Sequence, residues 1–428
     1  MSILSRRRVK IVLLGISAAL AVTACSSSSG SSGAAGGSSP SSVAATQSLA
    51  AGPKPSGTSI TIGVISDQTG PNAQNYNEGV PQVAQAWADW INATQGGLKG
   101  HPVKVVTEDT QSVPGTAAGE ARQLVEQDHA VAIVAMSSYA ATMYTYLAGQ
   151  KIPLIGGDGG ARSPGDNLWF PVDAAGAGIF EGPAVVAKDS GAKSIAGAVC
   201  SESAACEQIA GALKSYAPTI GLAYKGSVSM SNSATTATAQ CLEFAGSGAD
   251  SVAVYLGLNA ASLIVSDCRS QGYKGSFIQL APVDKTFQTL NAQMLSLNRG
   301  FPWWSTAAPV VQYRSVMATY QPSADYESSQ ASETWASLQI LSYAMDKSGP
   351  AASAAVTGPD VITALQTAVK GVTLDGILPQ PITYSASGDT VINCFWATQY
   401  SPGGKYTTLP SPNSGNGAKG DLASQCIG

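Results

Sequence analysis

Residues 60–65 read Ile-Thr-Ile-Gly-Val-Ile, and residues 80–91 read Val-Pro-Gln-Val-Ala-Gln-Ala-Trp-Ala-Asp-Trp-Ile. The first segment is a short apolar run, which predicts a buried strand. In the second segment the apolar side chains recur at helical spacing, at Val80, Val83, Ala84, Trp87, Trp90 and Ile91. A strand followed by an amphipathic helix is the opening unit of an α/β fold.

The same alternation continues along the chain and then restarts. In the first series, strands are predicted at 103–107, 131–136 and 152–155, with helices at 117–126 and 143–148. A second series has strands at 194–200, 251–256 and 277–281 and helices at 205–215, 234–245 and 260–271. Later helices are predicted at 327–347 and 359–368, and strand-like segments at 382–384 and 391–399. Repeated βαβ units with apolar strands indicate parallel sheets covered by helices on both faces.

The first 25 residues have the pattern of an export signal. Four basic residues precede an apolar run at 11–21, which is too short to cross a bilayer. The run ends in Val22-Thr23-Ala24-Cys25, and small residues before a cysteine are typical of a bacterial lipobox. The pattern predicts a signal peptide over residues 1–24 and a lipid on Cys25, which would hold the protein at the outer face of the cell membrane. The alternative is an ordinary signal with an incidental cysteine, and Sec or twin-arginine export both remain open.

The segment 25–57 is almost entirely Ser, Gly, Ala, Pro and Thr after the cysteine. Such a composition buries too little apolar surface to offset the entropy of ordering it. The segment is therefore predicted to be a flexible tether between the lipidated Cys25 and a folded region that begins at residue 58.

Charge and motif content exclude several classes of function. Removal of the signal leaves 19 Lys and Arg residues against 27 Asp and Glu residues, a formal net charge of −8. An acidic chain without a basic block argues against a nucleic-acid partner. The sequence has no G-x-S-x-G elbow, no P-loop and no H-E-x-x-H motif, and it contains two histidines. We therefore expect no enzymatic activity, no cofactor and no metal.

Six cysteines follow Cys25, and an even number in an oxidising compartment indicates disulfides. Proximity in sequence favours the pairs Cys200–Cys206, Cys241–Cys268 and Cys394–Cys426, although six cysteines allow fifteen pairings. A structural zinc site is the weaker alternative, because no C-x-x-C pair occurs.

The order of motifs resembles that of type I periplasmic binding proteins, and most closely the branched-chain amino-acid group. The resemblance rests on residues 60–65, Thr69-Gly70-Pro71, Trp90-Ile91-Asn92 and Gly96-Gly97, and it extends over residues 58–400. It implies two Rossmann-like lobes joined by three crossovers, with a ligand enclosed between them. Lobe 1 would comprise residues 58–172 and 301–376, and lobe 2 residues 173–300 and 377–428. It also implies a monomer that delivers a small molecule to ABC permease subunits.

Ligands of parallel sheets bind beyond the carboxyl ends of the strands. In lobe 1 this places three turns at the site. The resemblance implies that the turn holding Ser137, Ser138 and Tyr139 binds a ligand carboxylate, because hydroxyls and free N–H groups suit an anion. The next turn carries Gly157, Asp158 and Gly159, where Asp158 would take an ammonium or hydroxyl group. The first loop contains Asp67, Gln68 and Tyr76, of which Tyr76 is the expected contact.

The lobe 2 candidates also follow strands, and they are Ser201, Glu202, Tyr255 and Asn259. Amino-acid binders of the resembling family place a carboxylate at the end of the strand that corresponds to 277–281, where it pairs with the ligand's ammonium. Here that position is Ala281, and the nearest acid is Asp284. Either another acid replaces it or the ligand is not an α-amino acid, since a buried ammonium requires a partner. The alternative function is a sensing module that presents its closed form to a membrane receptor.

Overall fold

The computed structural model describes residues 49–70, 73, 79–157, 162–163, 165–202, 204–280, 292–402, 405–411 and 413–428, without the side chains of 204–206. The predicted signal peptide and Cys25 lie outside the described residues, as do the candidate site residues Tyr76, Asp158, Gly159 and Asp284. Statements about the structure below refer to the described residues.

The first sheet has five strands, all parallel, in the order β2-β1-β3-β4-β5. The strands are β1 (Ile60–Ser66), β2 (Val103–Asp109), β3 (Ala130–Met136), β4 (Leu154–Gly156) and β5 (Trp169–Phe170). The helices between them are α1 (Val80–Trp90, continued by a π-helical turn, Ile91–Gln95), α2 (Pro114–Glu126) and α3 (Ala140–Gly149). Buried aliphatic residues of β1 and β3 fill the core beneath the helices, as the apolar strand pattern predicts.

The second sheet has the order β12-β11-β10-β9-β8-β6-β7, with β13 paired to β11. Its strands are β6 (Ser194–Cys200), β7 (Ala223–Met230), β8 (Ser251–Tyr255), β9 (Ser276–Gln279), β10 (Met294–Asn298), β11 (Cys394–Ser401), β12 (Lys405–Thr408) and β13 (Gln425–Cys426). The helices along this part of the chain are α4 (Ala177–Phe180), α5 (Gly182–Asp189), α6 (Ala204–Tyr216), α7 (Thr238–Ser247) and α8 (Leu258–Ser270). Strands β6 to β10 run parallel, whereas β11 is antiparallel to β10, β12 and β13. The predicted fold of two α/β lobes with parallel sheets is confirmed, with an antiparallel margin on the second sheet that the sequence pattern did not predict.

Three late helices return to the first lobe. They are α9 (Ala308–Tyr320), α10 (Ser329–Ser348) and α11 (Gly358–Ala368). Helix α10 is buried along most of its length and packs on α1, where the rings of Trp90 and Trp335 lie 5.4 Å apart. The chain therefore passes between the two sheets three times: after β5, after β10 and before β11.

The crossovers contain a buried cluster of charges. Arg299, which follows β10, places its Nε 3.4 Å from Asp173 Oδ2 in the first crossover and its Nη2 3.6 Å from Glu333 Oε2 in α10. The side chains of Asp173 and Glu333 are 0% and 2% exposed. One guanidinium thus links two crossover segments to a helix of the first lobe.

The last part of the predicted tether, residues 49–57, contacts the first lobe. Gly52 N donates to Ala93 O at 2.9 Å, and Gly57 N donates to Gly100 O at 2.9 Å. A side chain at Gly52 would place its Cβ 1.9 Å from Thr94 O, so the glycine permits a close backbone approach. Composition alone suggests flexibility here, whereas the glycine serves packing against the first lobe.

Two of the three predicted disulfides are confirmed in the second lobe. Cys241 pairs with Cys268 across α7 and α8, and Cys394 pairs with Cys426 across β11 and β13. Cys200 is also disulfide-bonded. Its predicted partner, Cys206, has a side chain outside the described residues.

Candidate functional site

Asp67 is the centre of the strand-end turns in the first lobe. It is 0% exposed, and its Oδ1 accepts hydrogen bonds from Ser137 Oγ at 2.5 Å and from Thr110 Oγ1 at 2.6 Å. Its Oδ2 accepts from the Ser138 backbone N at 3.2 Å and from Ser138 Oγ at 2.8 Å. The two serines predicted to hold a ligand carboxylate therefore hold a carboxylate of the chain itself.

The register of the first sheet explains why these residues meet. Ser66, the last residue of β1, pairs with Met136, the last residue of β3. The residues that follow, Asp67 and Ser137, are consequently neighbours at the carboxyl edge of the sheet. The sequence contained half of this signal, because both polar residues directly follow predicted strands, whereas the pairing of β1 with β3 is known from the structure.

A second carboxylate, that of Asp109, fixes the loop that follows β1. Its Oδ1 accepts from the backbone N of Gln68 at 2.9 Å, of Thr69 at 3.1 Å and of Gln111 at 2.8 Å, and its Oδ2 accepts from Thr69 Oγ1 at 2.6 Å. Partial burial raises the pKa of Asp109, but these hydrogen bonds outweigh that effect and hold the pKa below its usual value. The loop is thus pinned to the end of β2 by an anion.

The other described candidates of the first lobe have structural contacts at the same edge. Tyr139 donates its hydroxyl to Ser112 O at 2.8 Å, and its backbone N donates to Ser137 Oγ at 3.0 Å. Gly157 is buried beside Trp169, whose Nε1 donates to Gly156 O at 2.6 Å. The predicted ligand contacts of Tyr139 and Gly157 remain predictions.

Glu202 organises the corresponding edge of the second lobe. It is exposed and follows β6, and its Oε1 accepts from Ser231 Oγ at 2.8 Å and Asn232 N at 2.6 Å. Its Oε2 accepts from Ser201 N at 3.0 Å. The backbone N–H of Asn232, followed by the Ser231 hydroxyl, lowers the pKa of Glu202. Asn232 Oδ1 in turn accepts from Gly257 N at 2.7 Å. The side chains of Glu202 and Asn232 together therefore connect the turns after β6, β7 and β8.

Ser231 and Asn232 were not predicted as site residues, because the sequence pattern did not indicate β7 and therefore gave no strand end at this position. Asn259 is exposed in the first turn of α8, as a site residue requires.

Tyr255 differs from its predicted role. It is 5% exposed, packs in the second-lobe core, and donates its hydroxyl to Phe180 O at 2.7 Å. Burial raises the pKa of its hydroxyl far above the usual value. The position at a strand end suggested a ligand contact, but in this structure the side chain is part of the core and its hydroxyl is already bonded.

The tryptophan pair after the second crossover serves packing. Trp303 and Trp304 lie 4.7 Å apart, and Trp304 stacks on Tyr406 of β12 at 5.2 Å. These aromatic contacts join the first-lobe core to the margin of the second sheet.

The described residues contain no group of three or more His, Cys, Asp or Glu side chains that could hold a metal ion. Within the same residues, every helix is too short or too polar to cross a membrane.

Comparisons with known proteins agree with this architecture. A family model described as periplasmic binding protein matches residues 59–405. The branched-chain amino acid transporter substrate binding protein LivJ of Streptococcus pneumoniae, solved in complex with isoleucine, has a TM-score of 0.66 and 19% identity, and the match covers 82% of this chain and 98% of that one.

Two further solved structures are similar to the same degree. A leucine binding protein, LivK, of Thermotoga maritima has a TM-score of 0.65 and 15% identity over 82% of this chain and 97% of that one. A fatty acid ABC transporter substrate-binding protein of Thermomonospora curvata has a TM-score of 0.66 and 15% identity over 84% of this chain and 93% of that one. At these identities the likeness shows the fold alone. No curated protein sequence matches the chain.

Proposed function

Because this chain belongs to the periplasmic binding protein family, with the type I architecture of the branched-chain amino-acid group, we propose that it captures a small polar ligand between its lobes for an ABC importer. The family consists of solute-binding proteins that act outside the cytoplasm. We further propose that a lipid on Cys25 anchors the mature protein to the outer face of the membrane and that it works as a monomer.

The observation that carries the proposal is the presence of polar strand-end turns on both sheets. In the first lobe, Asp67 binds the turns after β1 and β3 together, and in the second lobe Glu202 and Asn232 do the same for the turns after β6, β7 and β8. Three crossovers connect the two sheets. Hinged closure over a guest is the motion that such connections allow.

The identity of the ligand does not follow from the similar structures. Those proteins are named for, or solved with, leucine, isoleucine and fatty acid, which share little besides a carboxylate. The chain also has Ala281 where the amino-acid binders of the family have an acid. We therefore propose a small polar ligand, and the similar structures do not narrow its chemical class.

A thermal-shift screen of amino acids, amides, aromatic acids, amines and small sugars tests the function, since a ligand raises the melting temperature by mass action. We expect a hit to bind with 1:1 stoichiometry by calorimetry and to reduce the radius of gyration in X-ray scattering. Glu202→Gln should weaken its binding about tenfold or more, whereas Glu243→Gln, an exposed change on α7, should not. A hit that binds with an unchanged radius of gyration, or equally well to both variants, would contradict the proposed site.

A further inference from the structure

The hydroxyl groups of the first-lobe turn already donate hydrogen bonds within the chain. Ser137 Oγ accepts from Tyr139 N at 3.0 Å, and Thr110 Oγ1 accepts from Ser112 N at 3.0 Å. Each hydroxyl has one hydrogen, and in both cases it is donated to Asp67. With the two donors of Ser138, each carboxylate oxygen of Asp67 accepts two hydrogen bonds. A ligand carboxylate at this turn would find these donors occupied.

The same turn also has an unfavourable charge for an anion. All described polar contacts of Asp67 and Asp109 come from neutral donors, and neither carboxylate is paired with a Lys or Arg among the described residues. If a ligand placed its carboxylate about 5 Å from Asp67, repulsion between the two negative charges, at an effective dielectric constant of about 20, would lower the affinity of that ligand on the order of a hundredfold. Across the proposed cleft, the polar edge of the second lobe is organised by the exposed carboxylate of Glu202.

We propose that Asp67 makes the first-lobe turn select the ammonium or amide end of a ligand and exclude a ligand carboxylate from it. The inference rests on the proposed function, because it names the chemical class of ligand for that site. It reverses the polarity that the turn's serines suggested: the anion held by Ser137 and Ser138 is built into the chain. Because Asp67 is buried and its oxygens are already bonded, it acts on the ligand through its negative charge, which favours a cationic or neutral end over a carboxylate.

The decisive variant is Asp67→Ala, which removes the carboxylate to which Thr110, Ser137 and Ser138 donate. Acetate supplies the missing group as a free ion. In Asp67→Ala we expect acetate to raise the melting temperature saturably, by about 3 °C at a concentration a hundredfold above its Kd. Acetamide, methylammonium chloride and sodium chloride at equal concentration should have no such effect.

Two controls show whether the acetate response comes from the buried cradle, that is, the donors of Thr110, Ser137 and Ser138 around position 67. The wild-type protein should not respond to acetate, because Asp67 occupies the donors. Asp360→Ala removes a carboxylate that caps α11 through Thr357 N and Oγ1 on an exposed surface, and it should lose stability without gaining an acetate response. If Asp67→Ala does not fold alone, the same titration is followed as recovery of the far-ultraviolet circular dichroism signal. If acetate neither raises the melting temperature of Asp67→Ala nor restores its circular dichroism signal, the inference is overturned.

Matched ligands test the selectivity itself. The probes are 4-methylpentanoate, 4-methylpentanamide and 3-methylbutylamine, together with the acid, amide and amine forms of every screening hit. In the wild type we expect the amide or amine to bind at least tenfold more tightly than the acid, and in Asp67→Ala we expect the ratio to move toward the acid by on the order of a hundredfold. An acid preferred equally by both proteins overturns the inference and leaves solute binding intact. A positive acetate response without binding of any compound to the wild type supports the cradle and counts against the proposed function.

Discussion

Replacement of Arg299 by methionine should be the most destabilising single change at the crossovers. The guanidinium lies 3.4 Å from Asp173 and 3.6 Å from Glu333, and the three side chains are 13%, 0% and 2% exposed. Removal of one partner from a buried ion pair costs about 3–5 kcal/mol. Here the attraction of the guanidinium for Asp173 and Glu333 is lost while both carboxylates stay buried. Divided by the unfolding entropy of a chain of this length, that loss of free energy corresponds to a fall of about 5 °C in melting temperature.

Urea unfolding at pH 7, followed by tryptophan fluorescence, measures this loss directly. Arg122→Met is the matched control, because Arg122 is exposed and lies over the ring of Tyr146 at 4.6 Å, a contact worth about 0.5–1 kcal/mol. Further replacement of Asp173 by Asn and of Glu333 by Gln in the Arg299→Met background should restore most of the stability, since the two carboxylate charges are then no longer buried at the crossovers. A free energy of unfolding for Arg299→Met within about 1 kcal/mol of the wild type would refute the assigned role of the cluster.

Three further outcomes are expected. Cys241→Ser with Cys268→Ser opens a loop with a sequence separation of 27 and should cost about 3.5 kcal/mol in the free energy of unfolding, whereas reducing agent should then have less effect than on the wild type. Gly300→Ala would place a Cβ 2.4 Å from Ser329 O at the second crossover, so circular dichroism melting should show a loss of about 1–3 kcal/mol. Because the pKa of Asp109 is lowered in the folded state, its contribution to stability is present above its unfolded pKa of about 3.9 and is lost as the pH falls through the lower folded value. Asp109→Asn should therefore flatten the fall in stability below about pH 4 in urea titrations, and an unchanged slope would contradict the cause given for that shift.

Much of the fold could be predicted because the buried parallel strands are apolar over their whole length. The predicted strand at 194–200 agrees with β6, and the pattern of 60–65 and 131–136 locates β1 and β3 to within a residue. Strand β7 was missed because it lies at the sheet edge, where only Val228 and Met230 of its residues are buried and Lys225-Gly226-Ser227 interrupts any apolar pattern. Helix α9 was missed because its apolar residues surround the helix rather than form one stripe, so no helical period stands out.

The candidate site could be predicted only in part. The strand-end rule predicted that Ser137, Ser138 and Glu202 follow the carboxyl ends of strands, and in the structure they follow β3 and β6. What it could not supply was the partner of each group, because that depends on which strand lies next to which. Once β1 and β3 are known to be neighbours, the contact of Asp67 with Ser137 follows from the register.

Every cysteine after residue 25 belongs to the half of the molecule built on the second sheet, at positions 200, 206, 241, 268, 394 and 426. The half built on the first sheet contains none, and its core is completed by α9, α10 and α11 without covalent help. Recombinant material made in a reducing cytosol should therefore be heterogeneous on one side only. A preparation with a well-folded first lobe and scrambled thiols in the second would still have much of its secondary structure, so purification should be monitored by free-thiol content as well as by yield.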